Sequence, residues 1–359
     1  MKLLVISRKY PPSIGGMQEY AYQFIRHMRQ QATVYQIAHP VPLLLFPAFC
    51  LYAFVRSVLM RRAVECLYLC DGALAPLGLV LKLVTRKPAA ICVHGLDLVY
   101  GNWLYQLVVP FCLRRLDTVF CDSTATKMAC MKRGIREERL CLIPLGISDE
   151  LHRPRDKALF RRSLVHQYGL SPKTTALLSV GRLIERKGFH WFLAEVMPRI
   201  LNTRPDATYL LVGSGPMEGL LRRLIDEKDL SSHVRLLGAI PDSALALLYN
   251  AADLFIMPNV PVCGDLEGFG LVALEAASCG LPVVASRLDG IQDAIKDGEN
   301  GFLGEPLNPT QFAETILSLI DHDEQLAAQV RRYTLETYSW ERTVERYRQR
   351  LGDLIASAP

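Results

Sequence analysis

The ten cysteines of this sequence include no C-x-x-C pair, and no Cys/His spacing suits a zinc site. Cys92, Cys112, Cys121 and Cys141 stand in apolar runs, the setting of reduced, packed thiols in a cytosolic protein. No internal repeat or low-complexity tract occurs. No signal peptide is expected, because MKLLVIS is followed at once by Arg8, Lys9 and two prolines. The apolar stretch VPLLLFPAFCLYAFV (41–55) has only 15 residues, interrupted by Pro42 and Pro47 and followed by Arg56, Arg61 and Arg62. It falls short of the ~20 residues of a spanning helix, which leaves a core helix or a helix lying at a membrane interface.

A length of 359 residues is too great for one ordinary core and predicts two domains of about 170 residues each. At 50% hydrophobic and 21% charged residues, both can be buried. The net charge is only +5, but residues 1–172 hold 23 Lys and Arg against 11 Asp and Glu, and the remainder 18 against 25. The halves therefore stand at +12 and −7, which suggests an anionic partner for the first. No nucleic-acid partner is expected.

The stretch Met257 to Ser286 organises the second half. It reads as the end of a buried strand, a Gly/Pro-rich loop, a helix from Gly270 to Cys279 and a second buried strand, a βαβ unit. Open parallel sheets bind ligands at the carboxyl edge of their strands, where the next helix aims unpaired N–H groups into the crevice. Two carboxylates lie there: Glu267 before the helix and Glu275 inside it among small residues. A carboxylate in such packing is costly unless paired. Either both are structural, one capping the helix and one satisfied in the core, or they face a ligand.

The rest of the chain alternates strands and helices. LLVIS is a first strand, followed by a loop whose Gly15 and Gly16 allow close backbone approach to phosphate or sugar, or simply a tight turn. The strand AAICV ends in His94-Gly95-Leu96-Asp97; at that edge His94 either faces a ligand or orders its own loop. Six strands bring the first domain to about residue 150. The polar segment 151–173 reads as an interdomain connection with a short helix. A second alternation spans 174–338. In it, Gly181-Arg182-Leu183-Ile184-Glu185-Arg186-Lys187-Gly188 leaves a strand and precedes a helix, so Arg182 and Lys187 can converge near Glu267, as suits a diphosphate; a solvated charged turn is the plain alternative.

In this order, the GG pair, H-G-x-D, G-R-L-x-x-x-K-G, E-G-F-G-L-V-x-L-E with its E-x7-E spacing, and Tyr338-Ser339-Trp340-Glu341 resemble retaining glycosyltransferases of family 4. That resemblance implies the GT-B fold: two doubly wound, Rossmann-like α/β domains facing across a cleft, with a C-terminal helix (about 339–359) crossing back to the first. It implies that Arg182 and Lys187 hold the donor diphosphate, with Gly181 beside them. Glu267 would bond hydroxyls of the transferred sugar and Glu275 the ribose. The amides of Phe269, Gly270 and Leu271 would meet sugar and phosphate, Gly15 and Gly16 would close from the first domain, and His94 would approach the anomeric carbon. Where the family often has G-G-x-x-E, this chain has Asp289-Gly290-Ile291-Gln292-Asp293.

The expected activity is metal-independent, retaining transfer of a hexose from a nucleotide-diphosphate sugar to a glycan or lipid-linked acceptor, with no cofactor. The expected place is the cytoplasmic side, peripheral on an anionic membrane surface. Another GT-B enzyme, such as a nucleotide-sugar epimerase or phosphorylase, and a non-catalytic, membrane-associated nucleotide-sugar-binding protein are the competing readings.

Overall fold

The computed structural model describes residues 1–13, 15–148 and 157–358. The first six residues of the expected connection 151–173 lie outside the described residues, as do 149 and 150 of the expected first domain. The chain divides into two units, Met1–Gly146 with Trp340–Pro359, and Ile147–Ser339.

The first unit is built on a six-stranded sheet of β1 (Lys2–Ser7), β2 (Thr33–Ala38), β3 (Cys66–Leu69), β4 (Ala89–Val93), β5 (Thr118–Cys121) and β6 (Leu140–Leu142), in the order β2-β1-β3-β4-β5-β6. Every pair is parallel. β3, β4 and β5 are wholly buried, as expected of continuous apolar runs covered on both faces. The chain winds outward from β1 to β2 and then back through β3, so right-handed crossovers place the helix Gly16–Met28 on one face and the later helices on the other. The helix Trp340–Ala356 joins Gly16–Met28 on the first face. Its buried Tyr347 accepts from Tyr20 Oη at 3.2 Å and lies edge-on to Phe24 at 5.1 Å.

The second unit repeats the scheme with β7 (Thr175–Val180), β8 (Ala207–Val212), β9 (Val234–Gly238), β10 (Leu254–Met257), β11 (Val283–Ser286) and β12 (Phe302–Gly304). The order is β12-β11-β10-β7-β8-β9, again parallel throughout. Both sheets are thus doubly wound α/β, as the alternation predicts. The polar stretch ahead of β7 carries a 12-residue helix, Lys157–Tyr168, whose Arg161 reaches Asp253 at 2.9 Å, so this part of the expected connection is packed into the second unit.

The apolar stretch 41–55 forms a short turn, Leu43–Leu45, and then the helix Phe46–Leu59. That helix buries Phe49, Ala53 and Ser57 against the sheet while Leu51, Tyr52, Val55 and Leu59 are exposed. It is therefore a core helix on one side and an apolar surface on the other. Among the described residues no helix is long and apolar enough to cross a membrane.

Candidate active site

Each sheet has a switch point where the winding reverses, between β7 and β10 in the second unit and between β1 and β3 in the first. The loops leaving such a pair of strands diverge to opposite faces and open a crevice, the usual ligand site of open α/β sheets.

In the second unit the loop after β7 carries Gly181 to Gly188, and the loop after β10 carries Pro258 to Gly270. Gly188 locks them together. It has φ 68°, and a Cβ there would lie 1.8 Å from the Pro258 carbonyl oxygen, so a side chain is sterically forbidden. The preceding turn, Glu185–Lys187, is thereby pressed onto the second loop. Lys187 Nζ reaches Glu267 Oε2 at 2.7 Å, Arg186 Nε approaches the same oxygen at 3.4 Å, and Asn259 Nδ2 donates to it at 2.8 Å. Lys187 and Glu267 are only 8% and 7% exposed. Burial alone would raise the Glu267 carboxyl, but Lys187, then Arg186, and the bonds from Lys187 and Asn259 outweigh it and hold it below the ordinary value.

The backbone of Glu267 is clamped as well. Its N–H donates to Asp289 Oδ2 at 3.2 Å, and its carbonyl accepts from the Gly290 N–H at 3.1 Å. The departure at Asp289-Gly290 thus lies on the loop that fixes Glu267. Burial, with Glu267 and Asp265 nearby, raises the Asp289 carboxyl despite the amide it accepts.

Gly270, at φ 88°, turns the chain into the helix Leu271–Ser278, slightly shorter than the expected Gly270–Cys279. The first amides of that helix have no intrahelical acceptor, which makes its start an electropositive edge. Phe269 is buried against the ring of Tyr338 at 6.2 Å. Glu275 accepts a 2.8 Å bond from the buried Tyr249 hydroxyl, whose pKa burial and the neighbouring carboxylate push well up. The Arg182 side chain, by contrast, is exposed and makes no ion pair or hydrogen bond among the described residues. The structure therefore brings Lys187 and Glu267 together and joins Arg182 to neither among the described residues.

In the first unit, four neighbouring strands each deliver a charged residue to the carboxyl edge. Arg8 follows β1, Asp71 follows β3, His94 follows β4 and Asp122 follows β5. Arg8 Nε donates to Asp71 Oδ1 at 3.1 Å across the switch point. His94 Nδ1 meets Asp122 Oδ2 at 2.9 Å, and Asp122 Oδ1 accepts from Thr126 Oγ1 at 2.7 Å. His94 Nε2 is buried with no hydrogen-bond partner among the described residues. Burial would lower the imidazole pKa, yet the Cys92 sulfur and the Asp122 carboxylate prevail and hold it well above the ordinary value. Asp97 accepts from the amides of His94 and Gly72 at 3.0 and 3.1 Å, joining the loops after β4 and β3. Gly15 precedes the helix that starts at Gly16, and its φ of 153° suits glycine.

Sequence reasoning did not single out Arg186, Asn259, Asp289, Asp71, Arg8 or Asp122. The rule that flagged His94, a polar residue immediately after a parallel strand, also marks Asp122 and Arg8. Nothing in the spacing of the chain marks Asn259, and Asp289 stands out only as a departure from the family's G-G-x-x-E. A D-x-D triplet does occur, at Asp321-His322-Asp323, but Asp321 pairs with Arg204 at 2.9 Å and Asp323 caps the next helix by accepting from the Leu326 N–H.

Residues 174–322 match the family of glycosyl transferases group 1. The GDP-mannose-dependent alpha-(1-6)-phosphatidylinositol monomannoside mannosyltransferase of Mycolicibacterium smegmatis is 26% identical over 94% of this chain and 95% of its own length. The D-inositol 3-phosphate glycosyltransferase of Segniliparus rotundus is 32% identical over 58% of this chain and 45% of its own. Among solved structures, Anabaena HepE in complex with UDP and glucose aligns with TM-score 0.78 at 20% identity, covering 98% of this chain and 100% of that one.

Proposed function

We propose that this chain, whose second unit carries a glycosyltransferase group 1 domain, transfers a hexose with retention of configuration from a nucleotide-diphosphate sugar to a lipid-linked acceptor at the cytoplasmic face of a membrane. The observation that carries the reading is the buried cluster of Lys187, Arg186, Asn259 and Glu267 at the switch point of the second sheet, beside the start of the helix Leu271–Ser278. Breaking the bond between sugar and diphosphate leaves negative charge on the phosphate and an oxocarbenium-like carbon, so fixed positive charge at the phosphate is the largest demand. Arg182, Lys187, Arg186 and the helix start supply it without a metal. Glu267, ionised and held in place by its partners, presents a carboxylate to sugar hydroxyls. Glu275, on the helix, takes the ribose. His94 in the first unit, with Nε2 unpartnered among the described residues, serves the sugar or acceptor. A lipid acceptor accords with the acceptor named for the mycobacterial relative and with the basic first half of the chain.

The test is mass spectrometry of products after incubation with GDP- and UDP-sugars and a lipid extract. A hexose added to a lipid supports the proposal. Turnover of the sugar nucleotide without any acceptor adduct would point to an epimerase or phosphorylase instead.

Two variants probe the donor site. Arg182→Ala is expected to lower turnover about a hundredfold, roughly 3 kcal/mol of transition-state stabilisation, while leaving the melting temperature unchanged because the side chain is exposed. Near-normal turnover would remove Arg182 from the diphosphate site. Glu275→Ala is expected chiefly to weaken nucleotide binding in calorimetry, and unchanged affinity would return Glu275 to a structural role beside Tyr249.

A further inference from the structure

We propose that the outward face of three successive helices in the first unit is a docking surface for an anionic lipid bilayer. This deepens the lipid-acceptor reading above by naming the contact surface, and it rests on observations of its own.

The helices Phe46–Leu59, Ala75–Thr85 and Trp103–Leu113 connect β2 to β3, β3 to β4 and β4 to β5. All three crossovers run the same way, so the helices lie on one face of the sheet, and each packs against the next. Their inner sides are core: Phe49 and Ala53, Leu77 and Leu81, Val109 and Leu113 are buried. An ordinary surface helix turns a polar side outward. Here the outer sides are apolar too. The first shows Leu51, Val55 and Leu59 at four-residue spacing, the last of them 74% exposed. The second shows Val80, Leu83 and Val84. The third shows Trp103, Leu107 and Phe111, with Trp103 at 75%. Single exposed apolar residues are unremarkable, but a contiguous sheet of them across three helices marks an interaction site.

Charge identifies the occupant. None of the three helices contains an aspartate or glutamate. Between residues 41 and 115 there are eight Lys and Arg but only Glu65, Asp71 and Asp97 as acids, and the two aspartates are buried. The cations collect where the helices end: Arg61 and Arg62 after the first, Arg86 after the second, Arg114 and Arg115 after the third, all exposed. Each helix runs antiparallel to its strands, so these ends line up along the amino edge of the sheet. The Arg115 guanidinium lies 3.5 Å from the centroid of the Phe111 ring, at the border between the apolar face and the basic row. An apolar plane with no carboxylate on its three helices, edged by arginines that outnumber Glu65 and Asp117 on the same border, and carrying exposed Trp and Tyr, matches the boundary between acyl chains and anionic headgroups. Contact in the plane of the bilayer also fits the lack, among the described residues, of any helix able to cross it.

The tryptophans provide the test. Of the three in the chain, Trp191 and Trp340 are buried at 8% and 3% exposure, and only Trp103 lies on this face. Vesicles of neutral and anionic phospholipid with brominated acyl chains should quench and blue-shift the emission of the full-length chain, and Trp103→Phe should abolish the change. Leu107→Glu, and separately Arg61→Glu with Arg62→Glu, should each lower co-sedimentation about tenfold or more, and the wild-type binding should weaken with salt. Unchanged GDP or UDP affinity in these variants would show that the fold and donor site are intact. Absence of Trp103 quenching, or equal binding to purely neutral vesicles that the charge reversals leave unchanged, would overturn the proposal. So would a dimer in sedimentation velocity that Leu107→Glu dissociates, without vesicle binding, because the face would then be covered by a second copy. The vesicles contain no sugar nucleotide, so normal binding by a chain that transfers no sugar would defeat the activity and leave the surface standing.

Discussion

Glu267→Ala is expected to cost the second unit about 3–5 kcal/mol of stability in addition to about a hundredfold in turnover. Two largely enclosed cations face this carboxylate, Lys187 at 2.7 Å and Arg186 at 3.4 Å. Removing it leaves Lys187 uncompensated and Arg186 with Asp265 alone. Lys187→Ala should destabilise less, because Arg186 remains beside Glu267 and is itself paired with Asp265 at 3.3 Å. Local hydrogen exchange in β7 and β10 measures the difference, and equal losses in the two variants would contradict the asymmetry. The pH dependence has a definite sign. A carboxyl held below its ordinary value contributes stability that is fully present above the unfolded pKa of about 4.5 and is lost as pH falls through the lower folded value. The stability gap between wild type and Glu267→Gln should therefore be constant near neutrality and close only in acid. A gap that closed on the alkaline side would mean that the carboxylate is not the stabilised species.

Asp122→Asn is expected to act through His94 and to change the shape of the pH profile more than its height. Asp122 is 2% exposed and bonded to His94 Nδ1, so it orients the ring and favours the imidazolium, whose Nε2–H is then a donor at neutral pH. In the wild type the pair stabilises the fold fully below the unfolded histidine pKa of about 6.5 and is lost as pH rises through the higher folded value. In the asparagine variant, that pKa should fall and turnover should decline at correspondingly lower pH, with at least a tenfold loss above neutrality. His94→Ala should remove turnover with nucleotide affinity nearly unchanged. An Asp122→Asn profile parallel to that of the wild type, or loss of nucleotide affinity in His94→Ala measured by calorimetry, would reduce the pair to a structural role.

The strands were legible because parallel strands covered on both faces are short, continuous apolar runs punctuated by glycine and proline, a pattern carried by adjacent residues. The same locality exposed the helix that follows Glu267 and carries Glu275, the loop ending in Lys187-Gly188, and His94 at the end of β4. The charge of the first half was also plain, and it pointed to an anionic partner without saying which side chains share a face.

Tertiary structure decided the partners. Lys187 and Glu267 are 80 positions apart, and they meet because β7 and β10 lie side by side at a reversal of the winding and Gly188 admits no side chain against Pro258. Arg186 reads as a solvated turn residue until that loop closes over it. Asp122 becomes the partner of His94 only through the β4–β5 register, and Asp289 reaches the amide of Glu267 from the neighbouring β11 loop. The stretch 41–55 could be read as core or as surface from its composition, and it is both. Hydrophobicity along a helix says how apolar each side is, whereas the sheet beneath it decides which side is covered, leaving Leu51, Val55 and Leu59 outward.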